Sequence, residues 1–462
     1  MDNAAVTALR AGIRGSVTTA DDDGYDVARQ VRNGMVDKRP GVIVQPVNAG
    51  DVMTAVRYAA DNTLTVAVRG GGHSVPGFGT CDDGVVIDMS AMRGVRVDPL
   101  TQTARVSGGA TWGDLNDATY AFGLATTGGI ISTTGVGGLT LGGGIGYLSR
   151  GLGLSLDNLL AADVVTGDGT FHVASEKDDA DLFWAIRGGG GNFGVVTSFE
   201  FRLSPVKDIY GGPMFFELDK AGDLFRLYRE FIADAPEQFG GFPAYQIAPP
   251  LPFIPEDRHG DRLALMVTCW AGDLDQGERV LQPFRDLAPV VAELVGPMPY
   301  PVLNSAFDAL YPSGLRHYWK ANFVKELTDD AIAAHVEHGS RVPELTTTMH
   351  IYPINGACHR VAPESTAFAY RDASFATVIA GMWPDAADDE ANTAWVRDYY
   401  EATAPHSEEG GYINFMAEDD QSRIRANYRG NYDRLAEVKR TYDPGNLFRH
   451  NQNIAPAGGS TG

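Results

Sequence analysis

Arg69-Gly70-Gly71-Gly72-His73-Ser74 places a histidine behind three glycines, directly after the apolar run 64–68. Glycines that follow a strand let the backbone approach a ligand closely and turn successive N–H groups toward one anion, forming a nest suited to phosphate. A second glycine-dense stretch runs from Gly128-Gly129 through Gly135, Gly137 and Gly138 to Gly142-Gly143-Gly144-Ile145-Gly146, and a third is Arg187-Gly188-Gly189-Gly190-Gly191-Asn192-Phe193-Gly194-Val195-Val196. A glycine inside a regular element costs about 0.5–1 kcal/mol. Three clusters between residues 69 and 196 therefore point to a ligand rather than to turns alone. Farther along, alternation over 346–353 groups Thr348, His350 and Tyr352 on one strand face, with Met349 and Ile351 on the other. A neighbouring run groups Tyr318, Lys320 and Asn322 in the same way. If those polar faces line a cavity, His350 is the expected proton acceptor and Tyr352 its helper. Tyr147, Tyr245, Trp270 and Trp383 are candidate aromatic walls.

Several other chemistries fail on spacing. Gly72-His73-Ser74-Val75-Pro76 lacks the final glycine of a nucleophile elbow, which disfavours a serine hydrolase. No Gly-x-x-x-x-Gly-Lys-Ser/Thr is present, so the clusters are not a P-loop. Gly142 to Gly146 follows a glycine coil instead of a clean strand, a poor match to a dinucleotide fingerprint. Cys81, Cys269 and Cys358 offer neither a disulfide framework nor Cys-x-x-Cys zinc spacing, and are expected to be buried thiols; no metal site is expected. The formal charge of −22 repels nucleic acid and anionic lipid. It fits ordinary acidic solubility or a salt-adapted host, and the sequence leaves both open. No run reaches the roughly 20 apolar residues of a membrane span, and residues 1–15 lack the pattern of a secretion signal. A cytoplasmic location is the expectation.

With 44% hydrophobic residues, 462 positions suffice for two lobes. A helix is expected over 22–36, then a strand at 42–44, a helix over 52–60 capped by Asp51, and many short strands separated by Asp-Gly turns at Asp83-Gly84 and Asp168-Gly169. Beyond Pro205 the glycine clusters thin out. Strands are expected at 213–217, 242–247, 263–270, 317–324, 346–354 and 375–383, with helices at 224–233, 276–287, 329–340 and 389–403, giving a sheet covered by helices on one face. A last helix over 432–442 is stopped by Asp443-Pro444-Gly445 and followed by Asn-rich coil.

Taken together, the motif around His73, the Gly129–Gly146 patch, Gly153-Leu154-x-x-Asp157-Asn158, Phe183-Trp184-Ala185-Ile186-Arg187-Gly188-Gly189-Gly190 and Asn192-Phe193-Gly194-Val195-Val196 resemble the vanillyl-alcohol-oxidase-type (PCMH-type) FAD domain. Tyr412-Ile413-Asn414 and Phe448-Arg449-His450-Asn451-x-Asn453-Ile454 resemble the signature of the berberine-bridge-enzyme-like oxidases, and the pattern is similar to bacterial and polyketide-tailoring members. The resemblance implies an α+β, two-lobed fold: an FAD lobe over 1–206, with its core at 37–206, a substrate lobe of antiparallel sheet and helices over 207–410, and a C-terminal segment over 411–462 returning to the FAD lobe.

The same resemblance implies FAD bonded through its 8-methyl carbon to His73. The position where many relatives add a cysteinyl tether is Ile131, so a single link is implied. Thr134 falls where relatives gate oxygen, and its valine-like size resembles the oxygen-admitting state. FAD contacts are implied for Arg69, Gly70, Gly71, Gly72, Ser74, Gly129, Thr133, Thr134 and Gly135, and also for Gly138, Gly142, Gly144 and Gly146. Asn192, Gly194, Val195 and Val196 join them. From the C-terminal segment come Tyr412 and Asn414, expected on one strand face, with Asn451 and Asn453 for the flavin carbonyls and N3–H. The implied activity is oxidation of a small alcohol, amine or activated aromatic by oxygen, with release of peroxide. An oxygenating flavoenzyme, a dehydrogenase using another acceptor and a non-catalytic flavin-binding protein remain open alternatives at this point.

Overall fold

The computed structural model describes residues 3–458. Three sheets follow one another along the chain. The first is β1 (Ser16–Thr18), β2 (Val42–Gln45), β3 (Val66–Arg69) and β4 (Val85–Asp88), in the order β1-β2-β4-β3. Strands β2, β4 and β3 are parallel, and all four β4 residues are buried. That burial on both faces is why these strands read as unbroken Val/Ile runs. The helix Ala49–Asp61 crosses between β2 and β3. Its N-cap is Asn48, whose side chain accepts the Asp51 N–H; the Asp51 carboxylate instead accepts the N–H groups of Arg14, Gly15 and Val47. The expectation that Asp51 caps the helix is corrected, because a carboxylate inside the first turn is free to gather loop donors while Asn48 serves as the cap.

The second sheet is antiparallel: β5 (Val95–Asp98), β6 (Thr103–Ser107), β7 (Leu159–Val165), β8 (Phe171–Ser175) and β9 (Val195–Arg202), in the order β5-β6-β9-β7-β8. The third is also antiparallel. It contains β10 (Asp208–Glu217), β11 (Phe242–Ile247), β12 (Arg262–Trp270), β13 (Ala292–Glu293), β14 (Gly296–Pro299), β15 (Arg316–Val324), β16 (Thr348–Pro353) and β17 (Phe375–Trp383). The order is β13-β10-β12-β11-β16-β17-β15, with β14 also on β10. One face of this sheet carries Met349, Ile351 and Ile379 into a core shared with the helices Ala221–Asp234, Asp329–Gly339 and Asp389–Thr403. The other face carries Tyr352, Val378, Ala380 and Met382 toward the FAD-lobe residues Ile145, Tyr147 and Tyr412.

The N-terminal part departs from expectation. A helix occupies Asn3–Gly12, and within 22–36 only Tyr25–Ala28 is helical. The remainder becomes a strap between the lobes. The Asn33 amide donates to the carbonyls of Val75 and His317 and accepts the His317 N–H; Arg32 N–H bonds Gly72 O, and Gly314 N–H bonds Arg32 O. Backbone groups committed to two partners in this way are unavailable for a helical ladder. The stretch 136–142, read as glycine coil, is a short helix, Val136–Gly142. All three cysteines are buried and free, and among the described residues no helix is long and apolar enough to cross a membrane.

A flavin site between the sheets

The first two glycine clusters meet back to back. A Cβ placed on Gly71 would lie 2.4 Å from the Gly135 nitrogen, so only glycine permits this approach. Gly72, at φ +71°, completes the turn. Among the described residues, the N–H groups of Gly71, Gly72, His73 and Ser74 have no acceptor in the protein, the condition of an anion nest. Arg69 forms the base of the loop. Its guanidinium is taken up by Asp88 at 2.9 Å and by the carbonyls of Gln30 and Ala28. It therefore shapes the nest rather than reaching into it.

A cavity opens in front of this loop, leaving about 350 Å³ for the centres of water molecules. The lining includes Gly70, Gly71, Gly72, His73, Ser74, Gly129, Thr134, Gly135 and Gly138, together with Asn192, Gly194, Val196, Tyr412, Asn414 and Asn451. His73 sits with Nε2 3.2 Å from the Thr133 hydroxyl and Nδ1 3.4 Å from the Thr134 hydroxyl. Burial between the lobes, then the nearby Arg32 and His317, lower its pKa to about 3, so the imidazole is neutral. The same cavity is lined by His350 and Tyr352, with His350 Nδ1 2.5 Å from the Tyr352 hydroxyl. Burial holds His350 at about 3 and raises Tyr352 well above its ordinary value. Phe242 packs against both rings and Tyr147 stacks on Phe242, which fixes the pair from behind.

Tyr412 and Asn414 meet without a strand. Tyr412 caps the short 3-10 turn Ile413–Phe415 and Asn414 is its middle residue; the Asn414 amide donates to the Tyr412 hydroxyl at 2.8 Å while the Gly144 N–H donates to the same oxygen at 2.8 Å. Expecting a shared strand face was wrong because a three-residue 3-10 turn also brings positions two apart together when their side chains bond. Burial raises the tyrosine to about 12, opposed by those two donors.

The expected site divides on inspection. Thr133, Gly142, Gly144, Gly146, Val195 and Asn453 lie outside the cavity lining. A Cβ on Gly142, Gly144 or Gly146 would strike Asn414, Ser155 or the Gly128 carbonyl, so these three glycines serve close packing. Val195 is core. The face of β15 that meets the cavity is the opposite of the expected one. Lys320 is held by Asp419 and Asp420 on the far side, while His317 and Trp319 line the cavity. Of the four proposed aromatic walls none lines it; Tyr311, Trp319, Phe415 and Tyr352 do. Arg32, Asn33, Tyr311 and Gln452 also line the cavity, and nothing in their local spacing marks them.

The family profile described as FAD binding domain matches residues 40–175, and that described as berberine and berberine like matches residues 411–455. The (R)-6-hydroxynicotine oxidase of Paenarthrobacter nicotinovorans is 33% identical, covering 96% of this chain and 98% of its own. The chain belongs to the berberine-bridge-type FAD-linked oxidoreductases. A second such enzyme, from Dictyostelium discoideum, is 32% identical over 90% of this chain and 89% of its own. The crystal structure of 6-hydroxy-D-nicotine oxidase from Arthrobacter nicotinovorans superposes with a TM-score of 0.85 at 28% identity, covering 96% of this chain and 98% of that one.

The cofactor of this FAD-linked oxidoreductase is FAD, and the residues fit it. The unanswered N–H groups of the Gly71–Ser74 loop suit the pyrophosphate. The buried polar atoms Asn451 Oδ1 and Gln452 Nε2, on residues that line the cavity, have no protein partner among the described residues, which is costly unless a bound polar group answers them. One consequence concerns stability. His317, His335 and His350 are each lowered to about 3 by burial, His317 additionally by Arg32 and His335 by His406 and His338. A depressed histidine favours folding fully above its unfolded value of about 6.5, and that contribution is lost as pH falls toward the folded value. Chemical denaturation should show stability dropping between pH 7 and 5 by about 2 kcal/mol for each histidine, with His335→Gln flattening the slope. A flat profile would refute the neutral buried state.

Proposed function

We propose that this enzyme is an oxidase with FAD tethered by the His73 imidazole alone, acting on a small alcohol, amine or activated aromatic and passing electrons to oxygen with release of hydrogen peroxide. The observation that carries the reading is His73 itself: a neutral imidazole beside an unanswered N–H nest, at the rim of a cavity shared by both lobes. Ile131 also lines the cavity, where a second, cysteinyl tether would otherwise attach. When bound, FAD supplies the two-electron acceptor and the centre that meets oxygen.

The chain's own residues position the substrate and handle its proton. Thr134 contributes a small side chain to the cavity, leaving room for oxygen. Two groups bear on the substrate's proton. A histidine held near 3 is a weak acceptor at neutral pH, which counts against His350 as base and leaves it, with Tyr352, to orient the substrate. Tyr412, raised to about 12, is a protonated phenol at neutral pH; its oxygen already accepts two N–H groups, which leaves its own O–H to donate into the cavity. We assign Tyr412 the role of hydrogen-bond donor to the reacting group of the substrate.

Denaturing electrophoresis viewed by flavin fluorescence is expected to show a yellow band for the native protein and none for His73→Ala. A fluorescent His73→Ala band would refute the tether. Peroxide formed in step with product supports the oxidase; oxygen-18 incorporated into product would favour an oxygenating enzyme, and slow reoxidation in air a dehydrogenase.

A further inference from the structure

The chain has 59 Asp and Glu residues, and among the described residues none lines the cavity. The substrate-lobe wall is made of Tyr311, His317, Trp319, His350 and Tyr352 over an aliphatic floor. The nearest acids are occupied elsewhere. Asp308 accepts the Ser132 N–H and hydroxyl, Asp88 holds Arg69, and Asp419 and Asp420 hold Lys320 behind the sheet. Among the described residues Arg32 has no carboxylate in bonding distance. Its guanidinium touches the Thr133 hydroxyl at 3.4 Å and the Tyr311 carbonyl, beside His73 and where the substrate lobe begins; Asp308 is the one acid whose charge reaches it.

The remaining titratable groups are uncharged near neutral pH. His73, His317 and His350 sit at about 3, and burial also lowers His450. Burial raises Tyr311 and Tyr352, and takes Tyr412 to about 12. With Arg69 paired to Asp88, Arg32 is, among the described lining residues, the one guanidinium without a carboxylate in bonding distance. An ammonium ion entering this space would lose its hydration and find no carboxylate in the wall. A hydroxyl finds aromatic walls and neutral hydrogen-bonding groups, and an anionic oxygen finds a guanidinium.

We infer that the cavity takes an uncharged or anionic oxygen-bearing aromatic compound and rejects ammonium ions, with Arg32 setting that sign. This rests on the proposed function and narrows its substrate class. The test is anaerobic titration of the flavin-loaded enzyme with 4-hydroxybenzyl alcohol, 4-hydroxybenzoate and 4-hydroxybenzylamine. Perturbation of the flavin absorbance reports binding, and bleaching reports chemistry. At neutral pH the alcohol and the benzoate should bind at least about tenfold more tightly than the amine, and the amine should gain affinity as pH rises above about 9 and its free base appears. Arg32→Gln should weaken the benzoate about tenfold relative to the alcohol, and Arg32→Glu should reverse the order of benzoate and amine. Amine binding as tight as alcohol binding at neutral pH overturns the inference, as does an unchanged benzoate-to-amine ratio in both variants. If the order holds and nothing bleaches, the inference stands and the oxidase reading falls. If the amine binds best and bleaches the flavin, the oxidase reading stands and the inference falls.

Discussion

Tyr412→Phe is expected to slow anaerobic bleaching of the flavin by about 10²- to 10³-fold, the range for loss of a preorganised hydrogen-bond donor, while substrate affinity changes only a few-fold. The hydroxyl is the meeting point of Gly144 N–H and the Asn414 amide. Removing it leaves both donors without that acceptor but keeps the ring among Phe323, Phe368 and Phe415. The fold should therefore survive and the chemical step should not. His350→Gln retains a hydrogen-bonding partner for Tyr352 and is expected to cost about tenfold, mostly in KM, in keeping with substrate orientation. If His350→Gln instead lowers the bleaching rate more than Tyr412→Phe does, the two roles must be exchanged. Stopped-flow absorbance under nitrogen measures both.

Lys439→Met is expected to destabilise the protein by about 3–5 kcal/mol, the cost of leaving one partner of a buried ion pair unmatched. Lys439 is fully buried, and its ammonium reaches the Asp443 carboxylate and the Asn192 carbonyl, both at 2.6 Å, and the Phe448 carbonyl at 2.9 Å. Burial lowers its pKa, opposed by Asp443. Asp443 in turn accepts the N–H groups of Leu447 and Phe448. One cation thus ties the third glycine cluster to the chain leading to Asn451 and Gln452. Flavin retention should weaken along with stability. The double variant Lys439→Met/Asp443→Asn should lose less than the sum of the two single changes, because the orphaned carboxylate is what costs most. Additive losses in urea titrations would show that the pair is not coupled.

The three glycine clusters were legible because close approach leaves a local mark: no other residue fits at Gly71 or Gly135. The strands of the third sheet were legible for a similar reason, since period-two alternation is local. Which face meets the cavity is not local. Both faces of β15 carry polar groups, and Tyr318 and Lys320 resemble site residues until Asp419, about 100 positions later, is seen to bond both. Arg32 and Asn33 were hidden for the same reason, because their partners lie at Gly72, Val75, Tyr311 and His317. The turn at Ile413–Phe415 could not be told from a strand by spacing, since the bond between Tyr412 and Asn414 sets it.

Asn33 bears on how the two halves can part. Its buried side chain rivets the loop after His73 to β15 through three hydrogen bonds. Swinging the two halves apart with Asn33 kept beside Val75 would break both bonds to His317 and expose the groups they satisfy. The seam between the two halves is thus fastened beside the cavity, and any opening there carries the cost of those bonds.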